Sequence, residues 1–98
     1  MLKYLENESF NEIINQDKVL VDFYAEWCGP CKMLTPVLER LGDSFEIVKV
    51  DVDKHFDLAK EYGIMSVPTL FIFKNGKVVK QMIGFNGYDE LKDELERA

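Results

Sequence analysis

No stretch of these 98 residues stays apolar for the roughly 20 residues that a helix needs to cross a bilayer, and no membrane partner is expected. The opening MLKYLENESFNEI lacks the apolar centre of a secretory leader, so a cytoplasmic protein is expected, in a compartment where thiols are kept reduced. Basic runs are missing too. The 12 Lys and Arg are scattered among 18 Asp and Glu, and a net charge of -6 would repel a phosphate backbone, which sets nucleic acid aside. Proline (3) and glycine (6) are scarce, and there is no repeat or low-complexity tract, which excludes disordered and fibrous classes. Histidine occurs once and cysteine twice. A structural zinc site takes four ligands, usually two cysteine pairs or one pair with two histidines, so no metal is expected in one chain, and sharing ligands across a dimer is the remaining route. What is present, 47% hydrophobic residues in 98, suits one domain spanning residues 1–98 with an ordinary core and no need of a staple.

Apolar periodicity alternates between the two kinds of element. Leu2 to Leu5 reads as a short strand, and Asn7 or Ser9 as the cap of a helix whose Phe10, Ile13 and Ile14 share a face. Lys18 to Ala25 is almost continuously apolar and β-branched or aromatic, as in a strand buried on both faces mid-sheet. The next helix begins at the cysteines, carries Met33, Leu34, Val37, Leu38 and Leu41 on its apolar face, meets Pro36 where a kink is expected, and ends near Gly42. Phe45 to Val52 forms a strand, and Asp53 is the expected N-cap of a short helix through Phe56, Ala59 and Tyr62 that stops at Gly63. Asn75-Gly76 between two apolar strands, Thr69 to Lys74 and Lys77 to Ile83, signals a tight hairpin. A last helix from about Tyr88 points Tyr88, Leu91 and Leu95 inward. The order βαβαβαββα is an α/β fold: a mixed sheet of about five strands flanked by four helices, parallel where helices intervene and antiparallel at the hairpin.

Both cysteines lie in Trp27-Cys28-Gly29-Pro30-Cys31-Lys32. As a structural crosslink, so short a loop would contribute only about 2 kcal/mol, and a reducing compartment would open it. A dithiol used as a reagent accounts for the surroundings better. A strand, a tight turn and a helix starting at the motif place Cys28 at the helix N-terminus, where free N–H groups and the positive end of the dipole stabilise a thiolate. Pro30 is tolerated in the first turn because its missing N–H would have had no partner there. Cys31, a turn further in, is less accessible, so Cys28 attacks and Cys31 resolves. With no histidine between them, the reduced thiolate gains no second positive charge, and the pair is the better reductant for it.

This motif, with Val21-Asp22-Phe23 before it, Lys49 in the third strand and Val67-Pro68-Thr69 before the fourth, resembles the active site of the thioredoxin family, and the likeness extends over essentially the whole chain. Tyr24 departs from it, standing where many members carry a second tryptophan. The resemblance implies a thioredoxin fold and a protein disulfide reductase that works through a redox-active Cys28–Cys31 disulfide without other cofactor. It also implies disulfide-containing protein substrates, a thioredoxin reductase as electron donor, and a monomer. It further implies that Pro68 is cis beside the disulfide, and that Trp27, Gly29, Pro30, Val67, Pro68, Ile83, Gly84 and Phe85 form the surface that receives partners.

Asp22 is an acid inside an apolar strand, so it either pairs with a cation, for which Lys49 is the candidate, or has a raised pKa. The resemblance implies that Asp22 moves the proton of Cys31. A rival reading from another class is a binding module that uses the apolar patch and not the thiols.

Overall fold

The computed structural model describes residues 1–98. Its elements run β1 (Leu2–Tyr4), α1 (Phe10–Ile14), β2 (Val19–Tyr24), α2 (Gly29–Leu41), β3 (Ile47–Asp51), α3 (Phe56–Glu61), β4 (Thr69–Lys74), β5 (Lys77–Ile83) and α4 (Tyr88–Arg97), in the order read from periodicity. The five strands lie side by side as β1-β3-β2-β4-β5. β1 and β2 pair parallel with β3, while β2 with β4 and β4 with β5 are antiparallel. β2 is therefore central, which is why its run carries no polar alternation except Asp22.

Period-2 alternation along β2 and β3 splits the core in two. Val19, Val21 and Phe23 join Val48, Val50, Phe71 and Phe73 under α1, whose Phe10, Ile13 and Ile14 complete that layer. Leu20 joins Ile47, Leu70 and Ile72 under α2 and α4, which bring Leu34, Leu38, Leu41, Leu91 and Leu95. Asp22 and Lys49 belong by parity to this second face, so both point beneath the helix that carries the cysteines.

Two local expectations are corrected. Asp53 does not cap α3: His55 holds the N-cap position without a side-chain bond, and Asp51 Oδ1 makes the turn by accepting from the backbone N–H groups of Asp53 (2.8 Å) and Lys54 (3.3 Å). Met33 and Phe56, expected on inward faces, are 67% and 65% exposed; the sheet is already covered by Leu34 and Leu38 in one case and by Leu58 and Tyr62 in the other. Pro36 sits inside α2, and the helix continues past it to Leu41.

The hairpin turn uses left-handed backbone at both central residues, Asn75 at φ 51° and Gly76 at φ 85°, as a two-residue turn matched to strand twist requires. Its N–H groups are satisfied by the end of α1: Asn75 N donates to Gln16 O at 2.7 Å and Gly76 N to Ile14 O at 2.9 Å. Gly76→Val is therefore expected to lower stability by about 1–3 kcal/mol, through backbone strain alone. The added Cβ would meet only Asn15 Oδ1, at an ordinary 3.6 Å. A urea midpoint that falls at constant slope is the expected result; an unchanged midpoint would show that the turn relaxes without cost.

Candidate active site

β2 delivers the chain to the site, and α2 begins there. Cys28 is the N-cap of α2 in extended backbone, and its Sγ accepts the N–H of Cys31 at 3.1 Å. A side-chain acceptor is what the first turn of a helix lacks, and here sulfur supplies it. The same N–H groups would stabilise negative charge on that sulfur. Pro30 occupies the first turn, where it forfeits no hydrogen bond. Cys28 and Cys31 form a disulfide with Cα atoms 5.3 Å apart. Both are largely buried, Cys31 the more so, and they pack with Ala25.

The surface around the disulfide is assembled from distant parts of the chain. The Val67–Pro68 peptide bond is cis, and the Val67 carbonyl oxygen lies 3.6 Å from Cys28 Sγ. Pro68 O accepts from Gly84 N at 2.9 Å, while Thr69 pairs with Ile83 at the start of β4, so the segment Ile83-Gly84-Phe85 stands next to Val67-Pro68. Gly84 turns the chain there at φ 86°. Gly29 and Pro30 are exposed, as are Trp27 at 72%, Ile83 at 66% and Phe85 at 47%. Trp27 is held by its indole N–H, which donates to Asp53 Oδ2 at 3.0 Å. Asp53 therefore fixes the tryptophan and does not provide the α3 cap that its place before that helix predicts. Trp27 and Val67 also wall an apolar groove with the exposed Phe56 and Met65. Met65 carries no sequence signal, being an apolar residue in a loop, and the periodicity of α3 points Phe56 inward instead of toward this groove.

Asp22 and Lys49 lie below that surface. They are direct neighbours across β2 and β3, and Lys49 Nζ stands 3.8 Å from Asp22 Oδ2. That is an ion-pair distance and too long for a hydrogen bond. Neither carboxyl oxygen of Asp22 has a hydrogen-bond partner, and the residue is fully buried. Burial pushes its carboxyl up from 3.8 to about 7, against the opposing pull of Lys49. Lys49 is itself pushed down by burial, with Asp22 and then Glu39 resisting. Of the two effects weighed from sequence, burial wins at both partners. The ammonium donates to Thr35 Oγ1 at 2.8 Å and lies over the ring of Tyr24 (4.5 Å to the centroid) and nearer the edge of contact with that of Tyr4 (5.4 Å). Tyr24 is pushed up to about 12, by burial first and then by Asp51.

An open cavity of about 220 Å³ runs along this back side, lined by Tyr4, Tyr24, Cys31, Lys32, Thr35 and Lys49 among others. Cys31 thus faces a different space from the groove beside Cys28. Thr35 was missed from sequence, since a threonine one turn after a cysteine in a helix carries no signal of its own.

The thioredoxin family model matches residues 1–97. Thioredoxin from Chlamydia caviae is 50% identical over 94 residues, covering 93% of this chain and 92% of the relative. That of Bacillus subtilis is 46% identical over 91 residues, covering 89% and 88%. Among solved structures, a point mutant of thioredoxin from Halobacterium salinarum superposes with a TM-score of 0.92 at 40% identity, covering 98% of this chain and 88% of that one.

Proposed function

The chain belongs to the thioredoxin family, and from that premise we propose how its site residues divide the work of a protein disulfide reductase. The activity is thiol–disulfide exchange through Cys28–Cys31, the redox-active disulfide serving where other oxidoreductases use a cofactor. Cys28 is the attacking thiolate. It forms a bond to one sulfur of the substrate disulfide as the substrate's own S–S bond breaks, and the other substrate sulfur leaves as a thiolate that takes a proton from water. Cys31 then gives its proton to the Asp22 carboxylate, directly or through a water, and attacks Cys28 Sγ. The intramolecular disulfide closes, and the first substrate sulfur departs with the bonding pair. Two electrons have moved from the dithiol to the substrate.

Asp22 suits the proton transfer because burial pushes its carboxyl up to about 7, which makes its carboxylate a stronger base than an exposed one. Lys49 moderates it. Pro68 and Val67 bound the approach to Cys28, and Trp27, Gly29, Pro30, Ile83, Gly84 and Phe85 complete the receiving surface. The family brings disulfide-bearing protein substrates and a thioredoxin reductase as partners in general. A monomer acting in the cytoplasm is our reading; a reducing compartment suits a dithiol reductant, and no helix is long and apolar enough to cross a membrane.

The observation that carries the assignment of roles is Cys28 Sγ at the N-cap, accepting the Cys31 N–H. Insulin-disulfide reduction tests the activity. The wild-type chain with a reductase and its nicotinamide donor is expected to precipitate the insulin B chain rapidly, and a variant with both cysteines changed to serine to remain at background. Equal rates for the two would point to binding through the apolar patch alone.

A further inference from the structure

We propose that Thr35 is a positioning residue for this chemistry: its hydroxyl draws the Lys49 ammonium away from Asp22 and so sets the pH at which the Asp22 carboxyl takes and gives up its proton. The inference rests on the proton-transfer reading of Asp22 for its functional consequence, and on geometry for its physical content.

Three distances make the case. Thr35 Oγ1 donates to the Cys31 carbonyl oxygen, one turn back, at 3.2 Å. That bond uses the hydroxyl proton and leaves the oxygen lone pairs as acceptors for Lys49 Nζ at 2.8 Å. The same ammonium is 3.8 Å from Asp22 Oδ2, short of a hydrogen bond, although both Asp22 oxygens are without any partner. A buried carboxyl with two orphan oxygens beside a buried ammonium would ordinarily close on it, since a charge-assisted bond is worth about twice a neutral one. The ammonium is held on the other side, by a hydroxyl fixed in orientation and by the faces of Tyr24 and Tyr4. The carboxyl is thereby left with a cation near enough to moderate its charge and too far to bind its proton-accepting oxygens.

Thr35 Oγ1 is the one hydrogen-bond acceptor that the Lys49 ammonium has. The ionisable groups about the pair are Tyr4 on β1, Tyr24 on β2 with Glu26 just after it, Asp51 on β3, and Lys32 and Glu39 on α2. β4 presents Leu70 opposite Asp22. Lys49 is the cation that opposes burial at Asp22, so whatever holds Lys49 controls that opposition. Thr35 does so from the helix that carries the cysteines. The hydroxyl that positions Lys49 is thus bonded to the backbone of Cys31 itself.

The test compares Thr35→Val, which keeps the β-branched shape and removes the hydroxyl, with Thr35→Ser, which keeps the hydroxyl. Asp22 is titrated by the ¹³C shift of its carboxyl carbon in the oxidised protein, a readout that a purely structural role would not move. In Thr35→Val the freed ammonium is expected to close on Asp22 and lower the titration midpoint by about one pH unit or more, while Thr35→Ser stays with the wild type. A midpoint unmoved or raised in Thr35→Val, or lowered equally in Thr35→Ser, overturns the inference. The pH profile of the second exchange step, followed in single turnover, separates this from the role of Asp22. If the carboxyl midpoint falls and the rate profile follows, both stand. If the midpoint falls and the rate profile does not, Thr35 still positions Lys49, and the proton-transfer reading of Asp22 is what fails.

Discussion

A Cys31→Ser protein is expected to become covalently trapped on its substrates through Cys28, while Cys28→Ser loses disulfide reduction down to the uncatalysed background. The asymmetry follows from where α2 begins. Cys28 Sγ sits at the N-cap, accepts the Cys31 N–H and borders the Val67 carbonyl at the mouth of the site. On the proposed roles, an incoming disulfide would reach it from the side of Trp27 and the Val67–Pro68 segment. Cys31 lies within the first turn, is almost wholly buried, and lines the rear cavity with Thr35 and Lys49, so it meets Cys28 sulfur more readily than a foreign one. Removing Cys31 leaves the first exchange intact and abolishes the second, and the mixed disulfide accumulates. Mass spectrometry of the alkylated protein after mixing with a disulfide-bonded peptide reads this directly, as an adduct on Cys28 that dithiothreitol releases. An adduct on Cys31 in the Cys28→Ser protein, with none on Cys28 in Cys31→Ser, would exchange the two roles.

The second large effect is on stability. Asp22→Ala is expected to make the folded protein more stable above neutral pH by about 2–4 kcal/mol, and to slow the second exchange step. Burial pushes the Asp22 carboxyl up from its ordinary 3.8 to about 7 in the fold. Between those values the folded chain holds a proton that the unfolded chain has lost, so wild-type stability declines as pH rises from about 4 and the decline is complete above about 7. The physical cost is a carboxylate held in the core with no hydrogen bond to either oxygen. Deleting it removes that cost, while Lys49 keeps the Thr35 hydroxyl and the tyrosine faces as partners. Near pH 4 Asp22 is already neutral in the folded state, and the two proteins should differ little. Urea melts of both at pH 4 and pH 8 test this, the gap opening with pH. A variant less stable than wild type at pH 8 would mean that the Lys49 pair stabilises the fold and that breaking it leaves a buried cation uncompensated.

What the amino-acid sequence determined by itself was whatever is governed by neighbours a few residues apart. The run from Val19 to Tyr24, the helix opening at Gly29-Pro30, and Asn75-Gly76 in its hairpin were all legible, because periodicity, a proline in a first turn and a left-handed turn are local properties of the backbone. The two-cysteine motif was legible for the same reason. The inward or outward facing of Met33 and Phe56 was misjudged, since an apolar residue at the margin of a helical stripe is buried only if the sheet beneath still has room. Asp51 makes the turn before α3 and Asp53 holds Trp27; an aspartate near a helix start has the same local signature in either task. The strand order that sets β2 between β3 and β4, and the meeting of Val67-Pro68 with Cys28 and of Ile83-Gly84 with Pro68, were decided only when distant segments packed. The contest at Asp22 was of this kind as well. Its outcome depends on an ammonium 3.8 Å away that bonds instead to Thr35 at 2.8 Å, and a difference of about an ångström between side chains from three separate elements is a property of the packed molecule, with no trace in the order of its residues.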